Sequence, residues 1–316
     1  MRCVLSCFLC CCRACASSPD DDPRPHPPPP PASAIRITQR EWGKRMQRVV
    51  VMRHGDRLDQ AEPIWPANKP RPWDPPLTDA GLLRAWTVGK RIRAAATAGG
   101  WAVHRVLVSP FLRCRQTAER AVAALCAVPD DAALLAIEDA ANVPLDTSRL
   151  KVSIEYGLSE MMNTQAMGGI VGKVAPGVKK WFPDLPELEA VFPAGTIDHS
   201  AEPIYPEVPK WEEFIMEARS RYASVIKALA DKYPNENLLL VTHGEGVGAS
   251  VSYFEMGLEI YDVEYCAYSV LERQVAMKPG DEQGGEGFTA DSFKVLTKSG
   301  TTGIQYAPVP ESWFVG

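Results

Sequence analysis

Two short segments and one arginine carry the polar chemistry of this chain. Arg53-His54-Gly55-Asp56-Arg57 and His243-Gly244-Glu245-Gly246 each begin where an apolar run stops, and Arg113 follows a third such run in Ser109-Pro110-Phe111-Leu112-Arg113. Three guanidinium groups and two imidazoles at one edge of a sheet would make a pocket for a compact, doubly charged anion, for which forked donors are well shaped. Phosphate fits that description. Neutral imidazole is a nucleophile near pH 7, and a second imidazole can donate to the phosphoryl oxygens as charge redistributes. Neither a metal ion nor a cofactor is expected in such a transfer.

The elements that must position these residues are legible from periodicity. Arg48-Val49-Val50-Val51-Met52, Val103–Val108 and Leu238–Thr242 read as short, continuous apolar strands buried on both faces, as in parallel sheets. Further short strands are expected at Lys151–Ile154, Tyr268–Gln274 and Ser292–Leu296. One helix should start from a Thr78 N-cap and stop at Gly99-Gly100. A second should start with Ser109 as N-cap and Pro110 at its first position, which puts Arg113 in a first turn whose free N–H groups attract anions. In a third, Trp211, Phe214, Ala218, Tyr222, Val225 and Leu229 form one apolar stripe that ends before Pro234. Strands alternating with helices predict a three-layer α/β/α sandwich around a mostly parallel sheet, where ligands bind beyond the carboxyl ends of the strands. Residues 161–209, rich in Gly and Pro, are too long for a simple connection and read as an inserted cap.

Composition bounds the rest. The 316 residues are 46% hydrophobic and 23% charged, which excludes a disordered or fibrous chain. A net charge of −5 with no long basic run excludes a nucleic-acid partner. Six of the nine cysteines fall within the first fifteen residues, so the other three, Cys114, Cys126 and Cys266, read as reduced thiols in a cytoplasmic body rather than a disulfide framework. Residues 1–44 form a tail. Its start, MRCVLSCFLCCCRACASS, outlines either an S-acylated membrane anchor or a cleaved secretory signal, with an inert extension as the third reading. A zinc site at Cys7, Cys10 and His26 ranks lower because no second Cys pair follows at a finger-like distance. The proline run that follows is an extended spacer that could also dock an SH3 or WW domain. A homodimer is compatible with the sequence.

Taken together and in this order, RHGDR, SPFLRCRQTAE and VTHGEGV resemble the signature segments of the histidine phosphatase superfamily, branch 1, with the phosphoglycerate mutase-like fold. The resemblance spans roughly residues 45–300 of a domain taken as 45–316. It implies that His54 is transiently phosphorylated while Arg53, Arg57, Arg113 and His243 hold the phosphoryl group. It also implies a carboxylic acid that protonates the leaving oxygen. Ile154-Glu155-Tyr156-Gly157-Leu158-Ser159-Glu160 is similar to the stretch that carries it, with Glu160 assigned and Glu155 as competitor, since an acid at a strand end faces solvent more often. A general acid of this kind requires a desolvated Glu160 with a raised pKa. No Asn-Arg-Phe stretch of the mutase kind follows the first histidine, and Trp73-Asp74-Pro75-Pro76-Leu77-Thr78 looks like phosphatase members. The segments are most similar to the phosphatase domains of the ubiquitin-associated and SH3-containing family, which implies a phosphotyrosine-type substrate or a phosphorylated small molecule.

Other readings compete. Cys114 and Arg120 have the spacing of a cysteine-phosphatase loop, but the residues between them lack glycine and read as helix. Gly244-x-Gly246-x-x-Ala249 after an apolar strand matches the dinucleotide fingerprint, with Asp262 as ribose ligand. A mutase and a non-catalytic scaffold for phosphorylated partners are the remaining alternatives. His104 and His199 are expected to be structural or exposed. The expected function is thus a metal-independent phosphomonoesterase with His54 as nucleophile.

Overall fold

The computed structural model describes residues 43–62, 69–277 and 287–310. The tail carrying the cysteine cluster and the proline run lies outside these residues. Nine strands are described: β1 (Gly43–Arg53), β2 (Arg105–Val108), β3 (Lys151–Ile154), β4 (Leu238–Thr242), β5 (Leu258–Val263), β6 (Tyr268–Met277), β7 (Phe288–Ala290), β8 (Lys294–Val295) and β9 (Ile304–Pro308). The main sheet runs β3-β2-β4-β1-β6-β7, with β8 also on β6, while β5 and β9 form a separate antiparallel ribbon. From β3 to β1 every pairing is parallel, and β6 turns antiparallel against β1.

The apolar runs are continuous because both faces of the parallel strands are covered. Val50, Met52, Val106, Val108, Leu239 and Val241 pack on one side with α2 (Asp79–Ala98) and α3 (Leu112–Cys126). The alternate residues Val49, Val51, Leu107, Leu238 and Leu240 pack on the other with α8 (Ile215–Lys232) and α9 (Gly244–Ser252). These two faces make the three layers. Five short helices fill the connections: α1 (Leu58–Ala61), α4 (Asp131–Ala136), α5 (Thr164–Met167), α6 (Gly169–Val174) and α7 (Leu185–Glu189).

The last three helices lie in segment 161–209, whose Val171, Phe182, Leu188 and Phe192 join the α2–α3 core. The segment returns beside the edge strand, with Ile197 bridged to Val152 and Asp198 N–H donating to Val152 O at 2.9 Å. An edge strand is thereby covered.

Several boundaries differ from the sequence reading. Thr78 does cap α2, its hydroxyl accepting from Gly81 N at 2.9 Å. α3, however, starts at Leu112 with Phe111 extended before it, so neither Ser109 nor Pro110 is part of the helix. Leu112 N–H is taken by Asp74 Oδ1 at 2.6 Å, so the helix start already carries a carboxylate. α8 begins at Ile215, which leaves Trp211 outside it and Phe214 73% exposed at its N-cap. Trp211 stacks instead on Trp181. The periodicity ran on into a loop whose aromatic residues pack for a different reason. β2 begins at Arg105 instead of Val103, and the strand expected at Ser292–Leu296 is two residues long. The β5–β9 ribbon went unread because its residues are mostly half-exposed and its pairing is non-local.

Candidate active site

β1 delivers Arg53 and His54 to the carboxyl end of the sheet. His54 N–H donates to Thr242 O at 3.0 Å, and His54 O accepts from Cys266 N at 3.1 Å, so the end of β4 and the turn before β6 grip this residue. The next position must be glycine, since a Cβ on Gly55 would stand 2.8 Å from Gly81 O, and one on Gly81 would stand 2.6 Å from Asp56 O. The first turn of α2 therefore packs directly on the loop. Thr117 of α3 joins the two arms of the site, accepting from Gly55 N at 2.9 Å and donating to Arg113 O at 2.8 Å.

His54 is 1% exposed and His243 0%, and their ring centroids lie 5.3 Å apart. His54 Nδ1 is 2.8 Å from Gly55 O. A carbonyl only accepts, so Nδ1 carries the proton and Nε2 keeps its lone pair. Burial first, then the positive surroundings of Arg113, His243 and Arg53, pushes His54 well below its ordinary pKa and keeps it neutral.

His243 ends β4 as the N-cap of α9. Its Nδ1 lies 3.1 Å from Glu160 Oε2, and its Nε2 accepts from Ser109 Oγ at 3.0 Å. Burial pushes His243 down to about 4, with Glu160 opposing the shift. Arg113, 1% exposed, donates Nη1 to Trp73 O at 3.2 Å and Nη2 to Glu160 Oε2 at 3.3 Å.

Glu160 therefore stands among these groups but in the opposite state from the one expected. Burial alone would raise its pKa, yet the His243 N–H and the Arg113 guanidinium outweigh burial and hold it well below the usual carboxylate range. It is an ion in the free site. Glu155, expected to face solvent, is 1% exposed and accepts from Gly157 N (2.9 Å), Ile204 N (2.6 Å) and Tyr205 N (3.0 Å). All its bonding is to backbone, so it anchors the end of segment 161–209 and does not join the histidines.

The remaining arginines differ in availability. Arg53 donates Nη1 to Val263 O and stacks 4.2 Å from the Tyr265 ring, while its buried Nε has no partner. Arg113 Nε is likewise buried and unpartnered. Arg57 caps α1 and is held by Asp59 through two bonds of 2.9 and 2.6 Å, close enough to Arg113 and His243 to lower both. Ser109, Thr117 and Tyr265 were missed by the sequence reading. Only the position of Ser109 at a strand end could have signalled its role, because the other two reach the site through packing.

Ligand atoms of His54, Glu160 and His243 lie within 4.8 Å of one another, the spacing of a metal triad among the described residues. Three guanidinium groups share that space, so the local field favours an anion over a dication. Cys114 is buried inside the start of α3 with its thiol pushed up to about 12, so it offers no thiolate. The strand after α9, β5, leaves the main sheet, so the glycine fingerprint lacks its βαβ unit. His104 accepts from Asn237 N at 2.9 Å, and the His199 side chain is 79% exposed.

The family model described as histidine phosphatase superfamily (branch 1) matches residues 49–134. The match includes Arg53, His54, Arg57 and Arg113 and stops before Glu160 and His243. No curated protein matches the chain significantly. Among solved structures, the ecdysone phosphate phosphatase from Bombix mori in complex with tungstate is similar at 19% identity and TM-score 0.47, over 80% of this chain and 92% of that one. A phosphoglycerate mutase from Bacillus anthracis str. Sterne is similar at 16% identity and TM-score 0.43, over 79% and 93%. A phosphoserine phosphatase from Entamoeba histolytica in complex with 3-phosphoglyceric acid is similar at 13% and 0.37, over 78% and 96%.

Proposed function

We propose that this chain belongs to the histidine phosphatase superfamily and is a metal-independent phosphomonoester phosphatase that acts through a phosphohistidine on His54. The observation that carries the reading is the state of His54: neutral, with its Nε2 lone pair free and the guanidinium groups of Arg113 and Arg53 close enough to act on it. Nε2 attacks phosphorus, the P–O bond to the leaving group breaks, and the leaving oxygen takes a proton from Glu160. Water then gives a proton back to Glu160 and attacks phosphorus, which releases inorganic phosphate and restores His54.

Arg53 and Arg113 bring unpartnered Nε donors to the phosphoryl oxygens. The Nδ1–H of His243, oriented by Ser109, follows the charge as it builds. Arg57 adds field from its place on Asp59. Glu160 is ionised before substrate arrives, so its proton must come with binding. A phosphoryl group adds up to two negative charges beside it, replaces the carboxylate as partner of Arg113 and His243, and raises Glu160 toward the range where it holds a proton.

The test is hydrolysis of 4-nitrophenyl phosphate by the full chain in excess EDTA, with His54→Ala assayed beside it. Turnover should survive chelation and fall at least about a thousandfold in the variant. Equal rates in the two proteins, or a rate abolished by EDTA and restored by a divalent ion, would remove the proposal.

A further inference from the structure

Glu160 follows three residues whose carbonyls are all taken by side chains of α8 and β4. Gly157 O accepts from Arg221 Nη1 at 2.6 Å, Leu158 O accepts from Thr242 Oγ1 at 2.8 Å, and Ser159 O accepts from Tyr222 Oη at 2.6 Å and from Arg221 Nη1 at 3.1 Å. All three donors are buried, Tyr222 and Thr242 completely. Arg221 is fixed in turn by Glu213, which takes its Nε and Nη2 at 2.7 Å each. Burial first, with the Glu160 carboxylate adding to it, pushes the Tyr222 phenol up against the pull of Arg221 and so keeps it a donor.

The same donors lie against the second imidazole's support. Thr242 precedes His243, and α9, which His243 caps, packs so closely that a Cβ on Gly246 would stand 3.0 Å from Tyr222 Cδ1 and from Thr242 Oγ1. The Glu160 carboxylate itself bonds His243, Arg113 and the Met161 N–H, so Arg221, Tyr222 and Thr242 act on it through the main chain.

We infer that Tyr222, with Arg221 and Thr242, positions Glu160 for proton transfer to the leaving oxygen. The inference rests on the reading of Glu160 as the acid. On that reading Glu160 gives up His243 and Arg113 to the phosphoryl group during each turnover, so its backbone must be held by something other than those partners. Buried hydrogen bonds to three consecutive carbonyls do this and keep the carboxyl within reach of the leaving oxygen.

The experiment compares phenyl phosphate with 4-nitrophenyl phosphate, close in shape and different in how far the leaving oxygen needs a proton, by steady-state kinetics on the full chain. Tyr222→Phe removes the hydroxyl and keeps the packed ring, and Thr242→Val removes a second donor at constant shape, with folding of each checked by a thermal melt. Each should lower kcat for phenyl phosphate about fivefold or more and change that for 4-nitrophenyl phosphate by about twofold or less, with KM little altered. Placed in Glu160→Gln, neither substitution should slow phenyl phosphate further, since no acid is left to position. Equal losses on the two substrates, or losses that persist in full without the acid, would overturn the inference. Glu160→Gln alone reads the acid assignment separately. A selective loss there with none in Tyr222→Phe or Thr242→Val fails the positioning alone, and equal losses there remove the acid and this inference together. No turnover of either substrate by the unsubstituted chain removes the phosphatase reading and the inference with it.

Discussion

Glu160 is the residue whose chemistry depends most on what is bound. In the free site it is a carboxylate shared between His243 and Arg113, and the proposed role as acid requires that it receive a proton when an anion enters. Its contribution should therefore scale with the difficulty of the leaving group. Glu160→Gln should slow an alkyl phosphate about a hundredfold while changing 4-nitrophenyl phosphate by about threefold or less, because nitrophenolate leaves without a proton. Steady-state kinetics on the two substrates check this, and equal losses would reassign the acid. Thr117 belongs to the same scale, since its hydroxyl ties the Gly55 turn to the Arg113 carbonyl. Thr117→Val should raise KM for an aryl phosphate about tenfold with a smaller change in kcat, and Thr117→Ser should restore it, because only the hydroxyl is at issue.

Among the elements, the strand ends were legible and the anchoring of the connections was not. Val49–Met52 and Leu238–Thr242 could be read as buried strands because both faces demand apolar residues, and the polar residue after each run had to lie at the sheet edge. The stretch from 155 to 160 offered two acids of the same type, and neither spacing nor composition separates them. Tertiary contacts do: three backbone N–H groups, two from Ile204 and Tyr205, converge on Glu155, while Glu160 lies against His243 and Arg113. Glu155→Ala should destabilise the fold by about 2–4 kcal/mol, since it strands buried donors at the return of segment 161–209. Denaturant unfolding measures it. The start of Glu160's own loop is held differently, by Arg221, which donates to Gly157 O and Ser159 O while paired with Glu213.

At the scale of the whole molecule, the site buries at the carboxyl end of the sheet several groups whose charge is set by burial. His54 lies well below its ordinary value and His243 near 4, so below pH 6.5 the unfolded chain binds protons there that the folded chain does not. Stability contributed by both histidines is present above that value and is lost as pH falls from 6.5 toward 4. Glu160 adds in the same direction at lower pH, because its folded value is depressed and the unfolded carboxyl protonates first. The melting temperature should fall by on the order of 5 °C between pH 7 and pH 4.5. Replacing His243 with Asn, which does not titrate, should flatten that slope, and calorimetric scans across the range check both. No helix among the described residues is long and apolar enough to cross a membrane.

Taken alone, the sequence determined the layered α/β class, the three strand ends and the residue types gathered at them. These follow from local periodicity and from the rule that polar residues interrupting a buried strand must sit at its edge. Only the tertiary structure decided which acid meets the histidines, which nitrogen of His54 is free, and that Asp74 sits at the start of α3. It alone decided the sign of the Glu160 shift. Each of these depends on groups distant in the chain, and the balance between burial and a neighbouring charge is a property of distances that no one-dimensional pattern contains.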